Sequence, residues 1–331
     1  MSININIFDK LIHNFKIKVK LHEANKEVFK VRAYTQALNK LQQNDNNIIS
    51  TIDDIKAYNF GKSIYEKSVW LLQNDSNLEE VDNISKSVSI IEELTGVHNI
   101  GVSKARELVN KHNIKGISDL KEQLYLLNDK QKSGLKYYTH MMARIPREEI
   151  VEHEKIIKDI IMSLYSVIKC KVQIVGSYRR LAKDSGDIDV IITFTDGKTP
   201  VNAMKTIIDK FQSICYIPND GIFASGSKKF MGMCKLPTEQ IYRRLDIMIT
   251  SAKEYPFALL YFTGSGEFNI KMRDYANSLG FSMNEKQIIY MNDKTEVKQH
   301  FQNEQDIFKF LNIHYLHPEQ RNSQNFKILD N

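Results

Sequence analysis

Between Gly176 and Val190 the chain reads GSYRRLAKDSGDIDV, and this stretch constrains the fold more than any other. It closes on two aspartates, Asp187 and Asp189, with one residue between them. The run Ile188 to Thr193 is rich in β-branched residues and predicts a strand. Side chains two apart on a strand share a face, so both carboxylates project into one site. A third aspartate, Asp246, stands in a second strand-like alternation, Arg243-Arg244-Leu245-Asp246-Ile247-Met248-Ile249. A lone D-x-D is often a solvated strand end. Acidic groups among apolar neighbours, however, are costly to bury unless paired or metal-bound. The small residues Gly176, Ser177 and Gly186 let backbone N–H groups approach an anion, and Arg179 and Arg180 add forked cationic donors. Three carboxylates beside a phosphate binder suit Mg²⁺, which prefers oxygen ligands. Two such ions would clamp an attacking hydroxyl and a leaving pyrophosphate.

Gly176-Ser177, then Asp187-x-Asp189, then a later strand aspartate resemble the signature of the nucleotidyltransferase superfamily. A further stretch narrows this: Tyr261-Phe262-Thr263-Gly264-Ser265, followed by Phe268-Asn269 and Met272-Arg273. It resembles the nucleotide-selecting segment of the family X DNA polymerases, whose motif order and spacing the chain follows almost end to end. The match is weakest in the first third and toward the C-terminus. The resemblance implies an α+β chain. A helical lyase-like domain over 1–82 precedes a helix-hairpin-helix DNA-binding subdomain over 83–143. A nucleotidyltransferase β-sheet palm over 144–252 and a small α/β nucleotide-selecting subdomain over 253–331 follow.

The resemblance also implies site roles. Asp187 and Asp189 bridge two Mg²⁺ ions, for which Mn²⁺ can substitute. Asp246 binds the ion at the primer 3′-hydroxyl and accepts its proton. Arg144, Ser177, Arg180 and Gly186 bind the triphosphate. Tyr261, Phe262 and Gly264 flank the incoming sugar, with a cis peptide expected between Gly264 and Ser265. Asn269 reaches the base, Arg273 the template, and Arg244 the primer phosphate near Asp246. Lys229-Phe230-Met231-Gly232 resembles a strand touching the DNA minor groove, although Phe230 and Met231 read equally well as hydrophobic core. Phe268 and Met272 read as core. Three departures from the family stand out: Ile270 for a lysine, Gly266 for an aspartate and Met248 for an arginine. They imply altered nucleotide discrimination.

The first third is helical by periodicity, with Ile7, Leu11 and Phe15, and then Val28, Val31, Tyr34, Leu38 and Leu41, at helix spacing. The run Asn44 to Asn47 breaks the pattern, and a further helix is expected after Gly61. Any single lysine here reads first as an ordinary surface residue. By resemblance, Lys67 is the Schiff-base nucleophile of a 5′-deoxyribose phosphate lyase, a role that needs a neutral amine. Lys30, Arg32 and Tyr34 form the phosphate-holding and orienting group. Asn59 stands where the family's first hairpin has glycine, and Ser63 and Glu79 stand at two phosphate-pocket lysine positions. Further on, Leu94 to Gly101 precedes a helix from Val102. This resembles a helix-hairpin-helix element, with a monovalent cation (Na⁺ or K⁺) on the carbonyls of Thr95, Val97 and Ile100 and DNA phosphate near Gly101 and Lys104. Asn99 replaces a glycine there and tolerates positive φ. The plainer reading is a turn joining two packed helices.

Composition sets the remaining bounds. The chain has 331 residues and a formal net charge of +6. Residues 1–40 carry eight Lys/Arg against three Asp/Glu, and 41–82 carry three against eight. Residues 83–146 carry ten against six, favouring DNA contact at the hairpin. Three scattered cysteines without zinc spacing argue for a reducing compartment. No secretory leader or membrane-spanning run is expected. The combined reading is a template-directed DNA polymerase filling short gaps in base excision repair, with lyase activity. Its partners are gapped or nicked double-stranded DNA and dNTP, with no membrane, and it acts as a monomer. The expected location is intracellular: nucleus, or host cytoplasm or virion for a viral source. The rivals are a template-independent or other nucleotidyltransferase, and a DNA-binding scaffold without lyase function.

Overall fold

The computed structural model describes residues 6–24, 27–43, 48–165, 169–195, 199–322 and 324–329. The asparagine run at 44–47 lies outside the described residues. The chain divides into two compact units, Met1–Leu127 and Asn128–Asn331. No described helix is long and apolar enough to cross a membrane.

The first unit is helical: α1 (Ile7–Ala24), α2 (Val28–Gln42), α3 (Ile52–Ala57), α4 (Lys62–Gln73), α5 (Glu79–Thr95), α6 (Val102–His112) and α7 (Ile117–Glu122). Leu11, Phe15, Tyr34, Leu41, Ile55, Ile64 and Leu71 close its main core. Val28, expected on the apolar face of α2, is instead exposed at the helix start. Beside the apolar stripe of α1 runs a buried polar one, Lys10, Asn14, Lys18 and His22, at i, i+4 spacing. Lys10 Nζ donates to the carbonyls of Leu71, at 3.0 Å, and Asn74, satisfying orphan acceptors at the C-terminus of α4. The Asn14 amide donates to Asn77 Oδ1 at 2.9 Å and its oxygen accepts from Leu78 N–H at 3.0 Å, fixing the turn into α5. Two helix–turn–helix joints share one build. Asn59 (φ 47°) precedes Phe60 and Gly61 before α4, and Asn99 (φ 65°) precedes Ile100 and Gly101 before α6. Asparagine thus supplies the left-handed residue that each turn needs.

The second unit opens with α8 (Asp129–Lys136) and α9 (Tyr138–Met142), which Asp220 anchors. Its carboxylate accepts from the Tyr137 hydroxyl at 2.7 Å and pairs with Lys136. β1 (Ile145–Pro146) pairs with β3 (Asp184–Ser185), and α10 (Arg147–Leu164) packs on β2 (Cys170–Ile174). The short helix α11 (Gly176–Arg179) leads through β3 to β4 (Ile188–Phe194). After α12 (Ala203–Ser213) come β5 (Ile222–Ser225), β6 (Lys229–Cys234) and β7 (Arg243–Thr250). The five-stranded sheet has the order β2-β4-β7-β6-β5. The β4–β7 pair is parallel, with Asp189 opposite Asp246. Ile150, Ile157, Ile161, Ile188, Ile192, Ile207, Leu245 and Ile249 fill one face, each fully buried. Each contributes about 1.5–3 kcal/mol of apolar burial. Phe230 joins this core, and Met231 points out.

The remainder is α13 (Tyr255–Thr263), α14 (Gly266–Ser278), the hairpin β8 (Phe281–Met283) and β9 (Ile288–Tyr290), and α15 (Glu304–Phe310). The Gly264–Ser265 peptide between α13 and α14 is cis, and the Ser265 hydroxyl caps α14. Phe268 and Met272 are buried, as expected of core residues.

Candidate active site

The strand register assembles the carboxylates. Asp189 on β4 faces Asp246 on β7, and Asp187 lies two residues before Asp189. Each offers an oxygen within 4.8 Å of the others. Burial and the Asp187 and Asp246 charges push the Asp189 carboxyl up to about 8. Burial pushes Asp246 up to about 6, against the pull of Arg244. Three carboxylates held this close, with Asp189 and Asp246 raised chiefly by burial, fit a hard divalent cation. Arg244 pairs with Asp187, and its charge also reaches Asp246.

Beside the trio is an open cleft of about 510 Å³, lined by Arg144, Ser177, Arg180 and Gly186 on one side and Tyr261, Phe262, Gly264 and Asn269 on the other. Gly176 sits at φ +61°, and a Cβ there would run into the Asp189 carboxylate. Ser177 Oγ donates to Ser185 Oγ at 2.7 Å. Arg180 Nη1 reaches the Thr263 carbonyl at 2.5 Å, and Arg144 is held by Asp184 at 2.7 Å. The Asn269 amide donates to the Tyr261 carbonyl at 2.7 Å. Arg273 borders a small adjoining hollow, and Lys229 pairs with Glu285 at 3.3 Å.

Sequence reasoning missed what holds this cleft in place. Tyr178 lies under the Arg147 guanidinium at 4.1 Å, and its hydroxyl donates to Glu154 at 3.0 Å, so α10 clamps α11. Arg179 grips Glu304 with two nitrogens, at 3.0 and 2.6 Å, and donates to Thr263 Oγ1 at 2.6 Å. Arg321 takes the same carboxylate at 2.6 Å. Burial alone would raise Glu304, but these arginines hold it below the usual carboxylate range. The pairing spans 125 residues, and no local pattern signals it.

In the first unit, Lys67 Nζ donates to Tyr34 Oη at 2.7 Å. The buried Tyr34 ring stacks on His22, whose Nδ1 lies 2.6 Å from Glu27 Oε2, and Lys30 pairs with Glu27 at 2.7 Å. Arg32 is exposed. Lys18, only 1% exposed, completes the group, and burial with the nearby Lys67 and Lys30 charges pulls it down to about 8. Its i, i+4 relation to His22 beside the apolar stripe was the available sequence signal. At the second joint, Thr95 is half-buried, Val97 and Ile100 are buried, and the Val97 carbonyl accepts from Ile100 N–H at 2.9 Å. Gly101 is the N-cap of α6, and Lys104 pairs with Glu107 at 3.1 Å.

Residues 144–252 match the family model described as DNA polymerase beta palm. Residues 258–322 match DNA polymerase beta thumb, and 92–142 match the fingers domain of DNA polymerase lambda. DNA polymerase lambda of Rattus norvegicus is 28% identical over 330 residues, covering 96% of this chain and 56% of that protein. The Arabidopsis thaliana DNA polymerase lambda is 26% identical over 259 residues, covering 73% and 48%. DNA nucleotidylexotransferase of Xenopus laevis is 28% identical over 294 residues, covering 74% and 57%. The chain spans about half the length of the curated relatives it matches. Among solved structures, Leishmania infantum polymerase beta in a ternary P/T complex aligns with a TM-score of 0.65 and 29% identity, over 72% of this chain and 99% of that one.

Proposed function

We propose that this chain, which belongs to the family X DNA polymerases, is a template-directed polymerase that fills short gaps in DNA during base excision repair. The observation that carries this is the Asp187–Asp189–Asp246 trio at the mouth of a cleft lined by serine, glycine and arginine. In this reading Asp187 and Asp189 hold two Mg²⁺ ions and Asp246 one of them. Bound there, the metal supplies charge neutralisation at the reacting phosphate. Ser177, Arg180, Gly186 and Arg144 bind the triphosphate. Asp246 accepts the proton of the primer 3′-hydroxyl as that oxygen attacks the α-phosphorus in line and pyrophosphate leaves. Tyr261, Phe262 and Gly264 crowd the sugar, Asn269 reads the base edge, and Arg273, Lys229 and Arg244 contact DNA.

The division into a lyase-like part (1–82), a hairpin subdomain (83–143), a palm (144–252) and a nucleotide-selecting part (253–331) belongs to the same proposal. So do a monovalent cation on the Thr95, Val97 and Ile100 carbonyls, phosphate contacts near Gly101 and Lys104, and action as an intracellular monomer. Lys67, bonded to Tyr34, is the proposed nucleophile of a 5′-deoxyribose phosphate lyase, with Lys30 and Arg32 toward the phosphate. A second reading, template-independent transfer, draws on the similarity to DNA nucleotidylexotransferase.

One assay separates these. One-nucleotide-gapped DNA bearing a 5′-deoxyribose phosphate is offered with Mg²⁺ and four dNTPs, with borohydride in parallel. The proposal expects insertion of the templated nucleotide alone, and a trapped adduct that is lost in Lys67→Ala. Untemplated addition would favour the second reading, and insertion without an adduct would remove the lyase.

A further inference from the structure

Resting on the lyase reading, the cleft beside Lys67 points to a further catalytic group. Lys67 projects from α4, and Trp70, one turn on and 39% exposed, lines the same cleft of about 430 Å³. Leu78 and Glu79 at the start of α5, together with Glu66, complete the lining. Among the described residues, Lys67 is this cleft's cation, set against two carboxylates. Phosphate needs cations or clustered N–H donors. An indole, a leucine and carboxylates offer neither, and suit the uncharged body of a ring-opened sugar. Lys18, near Lys67 by charge, is not part of this lining, nor is Lys30, which is tied to Glu27.

We propose that Glu79 is the base of the elimination step in this cleft. The neutral Lys67 amine adds to the C1′ aldehyde and water leaves, forming the C=N bond. The Glu79 carboxylate then takes the C2′ proton. The C2′–H electron pair becomes the C2′=C3′ bond, and the C3′–O bond breaks with its pair going to the phosphate oxygen of the DNA strand. Water hydrolyses the imine and frees Lys67. Nothing is oxidised or reduced. Glu79 suits this task better than Glu66. Glu66 precedes Lys67 on the same helix, so its side chain departs about 100° around the axis, whereas Glu79 reaches the cleft from a different helix, α5.

The test uses the full chain on gapped DNA carrying a 5′-deoxyribose phosphate, under single turnover. In Glu79→Gln the borohydride adduct should form at close to the wild-type rate, with the DNA strand still attached. Strand release should slow by about 10²-fold or more. Glu66→Gln should release the strand at close to the wild-type rate, and templated gap filling should be unchanged in both. Wild-type strand release in Glu79→Gln would overturn the assignment. So would adduct and release falling together, which would move Glu79 to imine formation. Failure of the lyase reading looks different: no adduct in the wild type, or an adduct that survives Lys67→Ala.

Discussion

Gly176→Ala separates the geometry of the carboxylate site from the stability of the sheet that carries it. Gly176 has φ +61°, and a Cβ there would lie well inside contact distance of the Asp189 carboxylate. Holding alanine in the left-handed region costs about 1–2 kcal/mol. For a unit of this size that lowers Tm by about 2–8 °C. The larger effect falls on function. Ordinary non-bonded contact requires the carboxylate to move by on the order of 1 Å, and a displacement of that size at a reacting centre costs about 10²-fold in rate. Gly186→Ala is the control. Its Cβ would meet Arg144 Nη1 at 3.1 Å, the far end of a flexible exposed side chain that can give way. Single-nucleotide insertion under saturating dNTP, read beside a thermal melt, should show a loss of about 10²-fold in Gly176→Ala and only a few-fold change in Gly186→Ala. Near-wild-type insertion by Gly176→Ala with a lowered Tm would mean that the position of Asp189 does not set the rate. No change in either readout would refute the backbone argument.

Further outcomes follow from the buried ion pairs. Glu304→Gln strands Arg179 and Arg321 without their shared counter-charge and should cost about 3–5 kcal/mol, with a raised KM for dNTP because Arg179 adjoins Arg180. Denaturant melts and steady-state insertion check this, and an unchanged KM would detach the triad from the nucleotide site. His153 is fully buried against Tyr216, and burial pulls it down to about 4. Its folded value lies below the unfolded one near 6.5, so the unfolded chain takes up a proton that the folded chain refuses. Stability is therefore lost as pH falls from 6.5 toward 4, by about 2 kcal/mol at pH 5. Urea midpoints should fall less steeply over that range in His153→Gln, and parallel slopes would contradict the assignment. Lys10→Met should destabilise the first unit by about 1–3 kcal/mol by orphaning the Leu71 and Asn74 carbonyls, leaving gap filling intact. Chemical denaturation with insertion assayed alongside tests both halves.

The strands around the aspartates were legible because their signal is local. Apolar alternation from Ile188 and from Arg243 marks two strands, and the observed strands begin at those residues. The α4 and α6 starts were legible from Gly61 and Gly101, and Asn99 took the positive φ that its place in the turn required. The buried polar stripe of α1 was not. Its members are polar residues at helix spacing, which a hydrophobic-periodicity reading discards. Lys10 and Asn14 are buried where a helix terminus and a turn from later in the chain need partners. The pairing of Arg244 with Asp187 had no signal in the sequence. Arg244 stands two residues before Asp246 on β7 and so shares its face, and from there its charge reaches Asp246 while its guanidinium pairs with Asp187.

The same geometry explains why the active-site carboxylates could be recognised in sequence while their supports could not. Parallel pairing of β4 with β7 sets Asp189 opposite Asp246, and a slip of one residue would turn every apolar side chain on β7 away from its present face. Hydrophobic burial therefore enforces the register, and the register delivers the carboxylates without any contact between them. Burial, and after it the charges of the neighbouring carboxylates, raises both Asp189 and Asp246. Core packing thus holds together a group that would otherwise disperse, and the strained electrostatics favour a divalent cation. The cationic side of the cleft is built differently. Arg144, Arg179 and Arg180 are long side chains whose placement depends on Asp184, Glu304 and the Thr263 carbonyl, drawn from three separate elements. Substitutions that keep the β4–β7 core should spare the carboxylate face. Loss of Glu304 or Asp184 should loosen the arginine side first, so the two halves of the cleft can fail independently.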